Sequence, residues 1–443
     1  MVSIAITGIV SLLVAAVSVL RNGVFKSFIN PYFIVTLLFF RFYGVVPEYS
    51  RETLRIDVAV LLSFLCFSVA YFLAQRGGAQ RARAFFAWLW PHDPRPGRIV
   101  RPLGTGAITC CLLLTAGYVT LNLTVAAMQY GGLERALVRF YVSSPVRQVS
   151  PWLLRASQHL FNVAMLVMFV LRYNYSVHKR GLVPFWITLI AILGVAFPRG
   201  SVGGFTYPVI AVIFADIVAC VVGKRKLRIK LDTMVLAGVV LTAAMLLLVL
   251  RTQKFGSVGD VTSFVRSSPR LVARALIATI GAHSVVREDV GYCLETFGDK
   301  TPYLWGHTPY SIVVNPIPRE LWPGKPVGFG NVLAQIKAGE SAGQTRVSYA
   351  AGLAGEGYAN GGYAGIVLLS LAVGLLCGKA AKYALIGFTI PSYGVLMMSL
   401  GLFRVSTAFV RGDMLSAFTT MVYPLAVLTL VLFLVGRFIT VRP

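Results

Sequence analysis

The sequence predicts an all-α polytopic membrane protein of about 11 transmembrane helices, with one large extramembranous loop on its outer face. Three observations predict this class. Hydrophobic residues fill 57% of the 443 positions and charged residues only 13%, about half the charged share of an ordinary soluble domain. Apolar runs of about 20 residues recur along the chain, the length that crosses a bilayer as a helix. When the runs are numbered in order, the short basic loops between them all fall on one face. A porin-type barrel is excluded, because its strands would alternate in short segments.

The expected spans lie near 3–20, 29–46, 57–74, 103–123, 151–171, 183–198, 205–222, 232–250, 363–378, 384–402 and 414–436. They divide the chain into eight N-terminal spans (1–250), a large outward loop (251–362) and three C-terminal spans (363–443). The first run has no basic leader and no A-x-A cleavage signal, so it is expected to stay in the mature chain. RGGAQRARAFFAWLWPHDPRPGRIVR (76–101) carries six arginines against Asp93 alone, and GKRKLRIK (223–230) has five cations and no acid. YNYSVHKRG (173–181), GKAAK (378–382) and the terminal VRP are basic too. Positive loops mark the cytoplasmic face, which places the N-terminus, the turn RGSVGG (199–204), the 251–362 loop and RGD (411–413) outside. The long loop is too polar to span and too long to be a mere connection. It holds an amphipathic helix starting at SSPRLVARALIATIG, which Ser268 can cap, with Pro269 at the first helical position.

The formal net charge is +25. In a soluble protein that balance would suggest nucleic acid; here basic cytoplasmic loops account for about half the cations, and no nucleic-acid partner is expected. The other half faces outward. Arg155, Arg199, Arg404 and Arg411 sit at span ends or in very short outer loops, where an arginine usually lines a wet cavity or pairs with something. An anionic ligand near the outer surface explains them economically, and arginine suits bidentate phosphate recognition. Acids and histidines able to move protons, Glu320, Glu356, Asp413, His283 and His307, gather on the same face. Five of the six cysteines fall in apolar spans, Cys293 being the exception, and no CxxC or His/Cys cluster occurs. Neither a disulfide framework nor a zinc site is indicated.

The stretch NPIPRELWPGKP (315–326) stands apart, with four prolines, one acid, two cations and Trp322 in twelve residues. Proline fixes φ and removes a donor, so this segment is a stiff loop, neither helix nor central strand. Arg199-Gly200, this block, GLAGEGYANGGYAG (352–365) and VRGD (410–413) follow one another in order. In that order they resemble the oligosaccharide repeat-unit polymerases, the O-antigen (Wzy-type) polymerase family of bacterial inner membranes. The resemblance covers roughly 199–436, about half the chain, and rests mainly on Pro-Arg-x-x-Trp-Pro-x-Lys-Pro followed by Gly-Glu-x-Tyr-x-Asn. The tail of the second motif departs from the family pattern, since Gly361-Gly362-Tyr363 follows Asn360.

The resemblance implies a GT-C-like helical arrangement, no metal or other cofactor, and a site facing the periplasm. It implies substrates linked to undecaprenyl diphosphate in the lipid bilayer. The growing glycan passes from its carrier to the non-reducing end of a new lipid-linked repeat unit. A chain-length regulator and a flippase are the implied partners, and O-antigen, lipopolysaccharide or exopolysaccharide biosynthesis the setting. The chemistry expected is displacement at the anomeric carbon with inversion. Arginines stabilise the departing diphosphate and a carboxylate or imidazole takes the acceptor proton.

Each candidate has a competing reading. Arg319 and Lys325 are candidates to clamp the diphosphate, with Trp322 stacking on a sugar or an isoprene; the alternative is an interfacial tryptophan with solvated cations. Glu356 is a candidate general base, against a helix-start charge near a positive dipole. His283 and His307 are alternative bases, against structural donors. Tyr358 and Asn360 of the second motif are candidate substrate contacts. Arg199 and Arg411 stand in glycine-bearing outer turns suited to phosphate, although Arg411 can instead pair with Asp413. Arg270 and Arg274 share a helix face, which reads lipid head groups or faces the site. Arg155 and His159, one turn apart, line the cavity or join helices. Two rival functions remain: an O-antigen ligase-like glycan transferase, and a transporter of anionic lipid-linked glycans. A transporter should show two-fold hydropathy repeats, and the 251–362 loop has no counterpart in the N-terminal half.

Overall fold

The computed structural model describes residues 3–4, 6–22, 30–43, 45–46, 51–89, 102–132, 151–199, 202–222, 285–317, 321–339, 349–390, 392–409 and 413–422, with isolated positions between 235 and 238 and between 425 and 429. The described chain is mostly helical. Among the described residues, four helices are long and apolar enough to cross a membrane: Glu52–Gln75, Thr105–Gln129, Leu160–His178 and Gly352–Gly387. Shorter apolar helices occupy Ile6–Leu20, Pro31–Phe40, Leu182–Ala196, Ala211–Cys220 and Tyr393–Val405. The expected span near 232–250 lies almost wholly outside the described residues, and the one near 414–436 is described only in its first part. Large apolar side chains stand exposed along these helices, among them Leu113 (66%), Ile190 (65%) and Leu368 (69%). Faces of that kind suit lipid and not water.

The chain forms two units. One comprises 1–93, 281–390 and 398–443, the other 94–280 and 391–397. In the first, α1 (Ile6–Asn22) packs on α2 (Pro31–Tyr43), and a two-residue antiparallel pairing of Ser3–Ile4 with Val45–Val46 closes the pair. Then come α3 (Arg51–Gln75) and α4 (Ala79–Leu89). In the second unit, α5 (Thr105–Tyr130), α6 (Pro151–His178), α7 (Leu182–Arg199) and α8 (Val202–Val222) pack side by side. Their core includes Tyr118, Met168, Leu171, Phe185 and Val212. Arg172 is buried there and grips Asp216 with two hydrogen bonds, 3.0 Å from Nε and 2.7 Å from Nη2. Ser176 donates to the same carboxylate, and the guanidinium lies over the Phe185 ring.

The first unit resumes with α9 (Val285–Thr296), α10 (His307–Val314) and α11 (Phe329–Ala338), all within the large loop. Next are α12 (Gly352–Gly387), α13 (Tyr393–Ala408, which ends in this unit), α14 (Met414–Ala417) and a wide helical turn at Phe418–Val422. The most extensive packing is between α3 and α12. Ser370, Gly374 and Gly378 recur every four residues on α12 and meet Ser63, Phe67 and Tyr71, also four apart, on α3. The serine hydroxyls bond at 2.8 Å, and any side chain at Gly374 or Gly378 would collide with the Phe67 or Tyr71 carbonyl. Small residues at this spacing let two membrane helices approach backbone to backbone.

Three expectations about boundaries change. GKAAK is no loop: α12 runs through it to Gly387, and the connection falls at 388–392. Lysine and alanine are good helix formers, so a basic run need not end a helix. YNYSVHKRG likewise stays helical as far as His178, and Lys179 leaves the helix with φ 60°. GLAGEGYAN, expected as loop, is helical from Gly352.

Candidate functional site

Helix α12 is two helices joined at a break. Gly361 (φ 170°, ψ 37°) and Gly362 (φ 64°, ψ −148°) leave the helical region, the latter in a conformation that side-chain-bearing residues avoid. At about 1.5 Å per residue, the part from Tyr363 to Gly387 spans roughly 37 Å, long enough to cross a bilayer by itself. A crossing by this part alone does not need the arm Gly352–Asn360. It folds so sharply that a Cβ on Gly357 would sit 2.7 Å from the Ile366 Cα, and one on Gly365 would collide with the Gly357 carbonyl. The glycine density of GEGYANGGYAG is what permits this reversal.

The arm carries Glu356 into the interior, where the residue is 0% exposed. Its Oε2 accepts the Met414 amide N–H at 3.0 Å, while Oε1 has no hydrogen bond of normal length. Asp413 is adjacent and starts α14 in a left-handed conformation (φ 54°), accepting the Ser416 amide at 3.3 Å. Burial, and then the Asp413 charge, push the Glu356 carboxyl up to about 8; the Met414 amide, the Thr308 hydroxyl and the Asp413 amide oppose them. The group is thus mostly protonated at neutral pH and close to the range useful for proton transfer.

One turn on, Asn360 donates to the Thr308 hydroxyl (2.9 Å) and to the Glu356 carbonyl (2.8 Å), and it accepts the Thr308 amide at 3.3 Å. This fastens α10 over the arm. His307, half-buried at the start of α10, has Nε2 2.8 Å from the Val327 carbonyl, just past the proline-rich block. Gly328 then lies against Asp413, whose Oδ1 would be 3.1 Å from a Cβ there. Lys325 is buried, and its ammonium donates to the Asn315 (2.8 Å) and Ile317 (2.7 Å) carbonyls. It ties the two ends of its own loop together, an inward role that the sequence reading of a phosphate-facing cation did not foresee. Trp322 meets Tyr310 edge to face at 6.3 Å. Tyr358 is buried, edge-on to Tyr303 and Tyr363, with the Arg55 guanidinium beside it.

So the structure gathers Glu356, Tyr358, Asn360, His307, Trp322 and Lys325 from the expected set into one region of the first unit. Arg319, Arg411, Arg270, Arg274 and His283 lie outside the described residues. Arg155, His159 and Arg199 lie on α6 and α7, with only their backbones described. Among the described residues no group of three His, Cys, Asp or Glu is placed to hold a metal.

Sequence reasoning missed Thr308, Tyr303, Trp305 and Arg55. It also missed the anchor beneath the region, where Arg287 of α9 donates to Asp57 (2.8 Å) and to the Tyr43 (2.8 Å) and Thr53 (2.9 Å) carbonyls. Thr7 completes the carboxylate at 2.7 Å. An acid at the head of an expected span, with an outward arginine to match, was the available signal. Comparison with family models, curated proteins and solved structures gives no match.

Proposed function

We propose that the chain is a metal-independent, lipid-diphosphate-dependent glycosyltransferase that polymerises oligosaccharide repeat units. In this reading it crosses a bacterial inner membrane eleven times in a GT-C-like arrangement, with the site toward the periplasm. The growing glycan leaves undecaprenyl diphosphate and joins the non-reducing end of the next lipid-linked unit. One observation carries the proposal: the glycine-rich block, the end of the RGD block and the residues directly following the proline-rich block, far apart in sequence, come together near a single buried carboxyl. Val327 and Gly328, which follow the proline-rich block, meet His307 and Asp413; the glycine-rich block supplies Glu356 and Asn360, and the RGD block supplies Asp413, with the Met414 amide next to it.

The chemistry assigned to this chain is a displacement at the anomeric carbon. The acceptor oxygen forms the new bond as the bond to the diphosphate oxygen breaks. Glu356, once ionised, takes the acceptor proton. Arg319 and Arg411 are assigned to the charge appearing on the diphosphate. The substrates, and partnership with a chain-length regulator and a flippase, belong to the same proposal.

The test is reconstitution of the full chain in proteoliposomes with lipid-diphosphate repeat units. A ladder of glycans lengthening by whole repeat units is expected. Single transfer onto a lipid A core would replace this reading with that of a ligase, and vectorial movement without new glycosidic bonds would replace it with transport.

A further inference from the structure

Just before α10, the chain presents an aromatic corner for which the carboxyl site has no use. Trp305 is 77% exposed, yet it sits in the left-handed region (φ 39°), followed by Gly306 at φ 84°. A bulky residue with positive φ is an outlier that persists only where its surroundings hold it. Here they do. The Leu304 amide donates to the Ala359 carbonyl at 2.8 Å and the His307 amide to the Leu304 carbonyl at 3.1 Å, pinning the chain on both sides of Trp305. The indole edge lies over Gly361, with Cζ3 3.6 Å from where a Cβ would stand. Strain without burial implies that the exposed ring face is itself what is being held in place.

The neighbouring rings are set nearly at right angles: Trp305 to Tyr303 (5.7 Å, 79°), Tyr303 to Tyr358 (5.9 Å, 76°) and Tyr358 to Tyr363 (5.5 Å, 85°). Tyr303 owes its seat to two glycines with positive φ, since a Cβ on Gly298 or Gly362 would sit 2.5 or 3.1 Å from its hydroxyl oxygen. Arg55 lies beside the Tyr358 and Tyr363 phenols. The corner thus joins a flat apolar face to phenolic hydroxyls and a guanidinium. A pyranose ring matches that set, with axial C–H groups against the indole and rim hydroxyls toward the phenols and Arg55.

We propose that Trp305, with Tyr303, Tyr358, Tyr363 and Arg55, forms a saccharide-binding platform for one sugar of the glycan beside the Glu356 site. This deepens the polymerase reading and rests on it for the identity of the glycan. An aromatic membrane belt shares part of this chemistry, but it requires neither a left-handed tryptophan nor an arginine set among phenols.

The probe is the repeat-unit oligosaccharide freed from its lipid carrier in the host strain by mild acid. It is titrated into the detergent-solubilised full chain and followed by tryptophan fluorescence and calorimetry. Trp305→Ala is expected to weaken binding at least tenfold, Trp305→Phe less, and Arg55→Gln by a few-fold. In proteoliposomes Trp305→Ala raises KM for the lipid-linked unit and leaves kcat within about twofold. Unchanged affinity and KM in Trp305→Ala would sink the platform while a persisting ladder upholds the polymerase. Oligosaccharide binding that depends on Trp305 in a protein forming no ladder would sink the polymerase and uphold the platform. Strong quenching of Trp305 by brominated lipids, with no oligosaccharide binding, identifies a bilayer anchor and overturns the proposal.

Discussion

Two buried acids, one in each unit, are treated in opposite ways. Asp216 on α8 receives both arms of Arg172 and a serine hydroxyl. Glu356 on the arm of α12 receives the Met414 amide, with lesser help from the Thr308 hydroxyl and the Asp413 amide, faces no cation among the described residues, and sits beside a second carboxylate. The first pattern is that of a brace, in which a charge taken out of water is fully compensated. The second leaves a carboxyl whose ionisation is unfavourable and therefore tunable, as proton-transfer groups are. The Arg287–Asp57 pair belongs with the brace: it joins a loop helix to α1, α2 and α3 through two carbonyls and a threonine. Completeness of the partner shell, more than burial, separates the two braces from the carboxyl proposed to move a proton.

The largest expected effect comes from breaking a brace. Arg172→Ala leaves Asp216 as a buried charge, and loss of one partner of such a pair costs about 3–5 kcal/mol. Fluorescence-detected gel filtration after heating should show a collapse of the folded fraction. Arg172→Met combined with Asp216→Leu should recover most of it. If the single substitution leaves the folded fraction intact, the pair is no brace and the comparison fails.

Glu356→Gln tests the other side. The glutamine carbonyl still accepts the Met414 amide, so the fold is expected to hold while glycan polymerisation falls at least a hundredfold. Stability should respond to pH with a definite sign. A carboxyl raised from 4.5 to about 8 in the folded chain holds its proton more tightly there than when unfolded. Wild-type stability then declines as pH rises from about 4.5 to 8 and levels off above. Glu356→Gln should flatten that slope in thermal melts across the same window. An unchanged slope would show that Glu356 is not the titrating group.

The contrast between brace and poised carboxyl was only half legible in the sequence. Apolar runs of spanning length gave the membrane class, the glycine-rich block singled out Glu356 and Asn360, and His307 stood out only as an outward imidazole able to move a proton. Local composition misled at GLAGEGYAN, because glycine lowers helix propensity; the structure needs those glycines for the contact of Gly357 with Gly365 and Ile366. Nothing in the spacing indicates that Lys325 turns inward, since a lysine in a stiff loop reads as a solvated cation until its carbonyl partners are located. Trp305 was invisible for a similar reason. Its signal is a backbone dihedral, which the letters Leu-Trp-Gly do not disclose.

A smaller effect is expected at Lys325. Lys325→Met removes two hydrogen bonds from a buried ammonium and strands the Asn315 and Ile317 carbonyls, a cost of about 1–3 kcal/mol. Hydrogen exchange across 315–327 should accelerate while the α3–α12 helices keep their protection. Equal acceleration everywhere would mean that Lys325 supports the whole unit instead of its loop.

The smallest and most discriminating change is Asp413→Asn. Asparagine tolerates the left-handed conformation at this position and its side-chain oxygen still accepts the Ser416 amide, so the start of α14 is preserved. What disappears is the negative charge that helps hold the proton on Glu356. With that charge gone, ionisation becomes easier, and the rising limb of the polymerisation pH profile should move below the wild-type midpoint near pH 8. The maximal rate should stay within a few-fold, because the base itself is untouched. A midpoint that stays put with full activity would mean that Glu356 and Asp413 do not communicate, and that Glu356 is no proton acceptor.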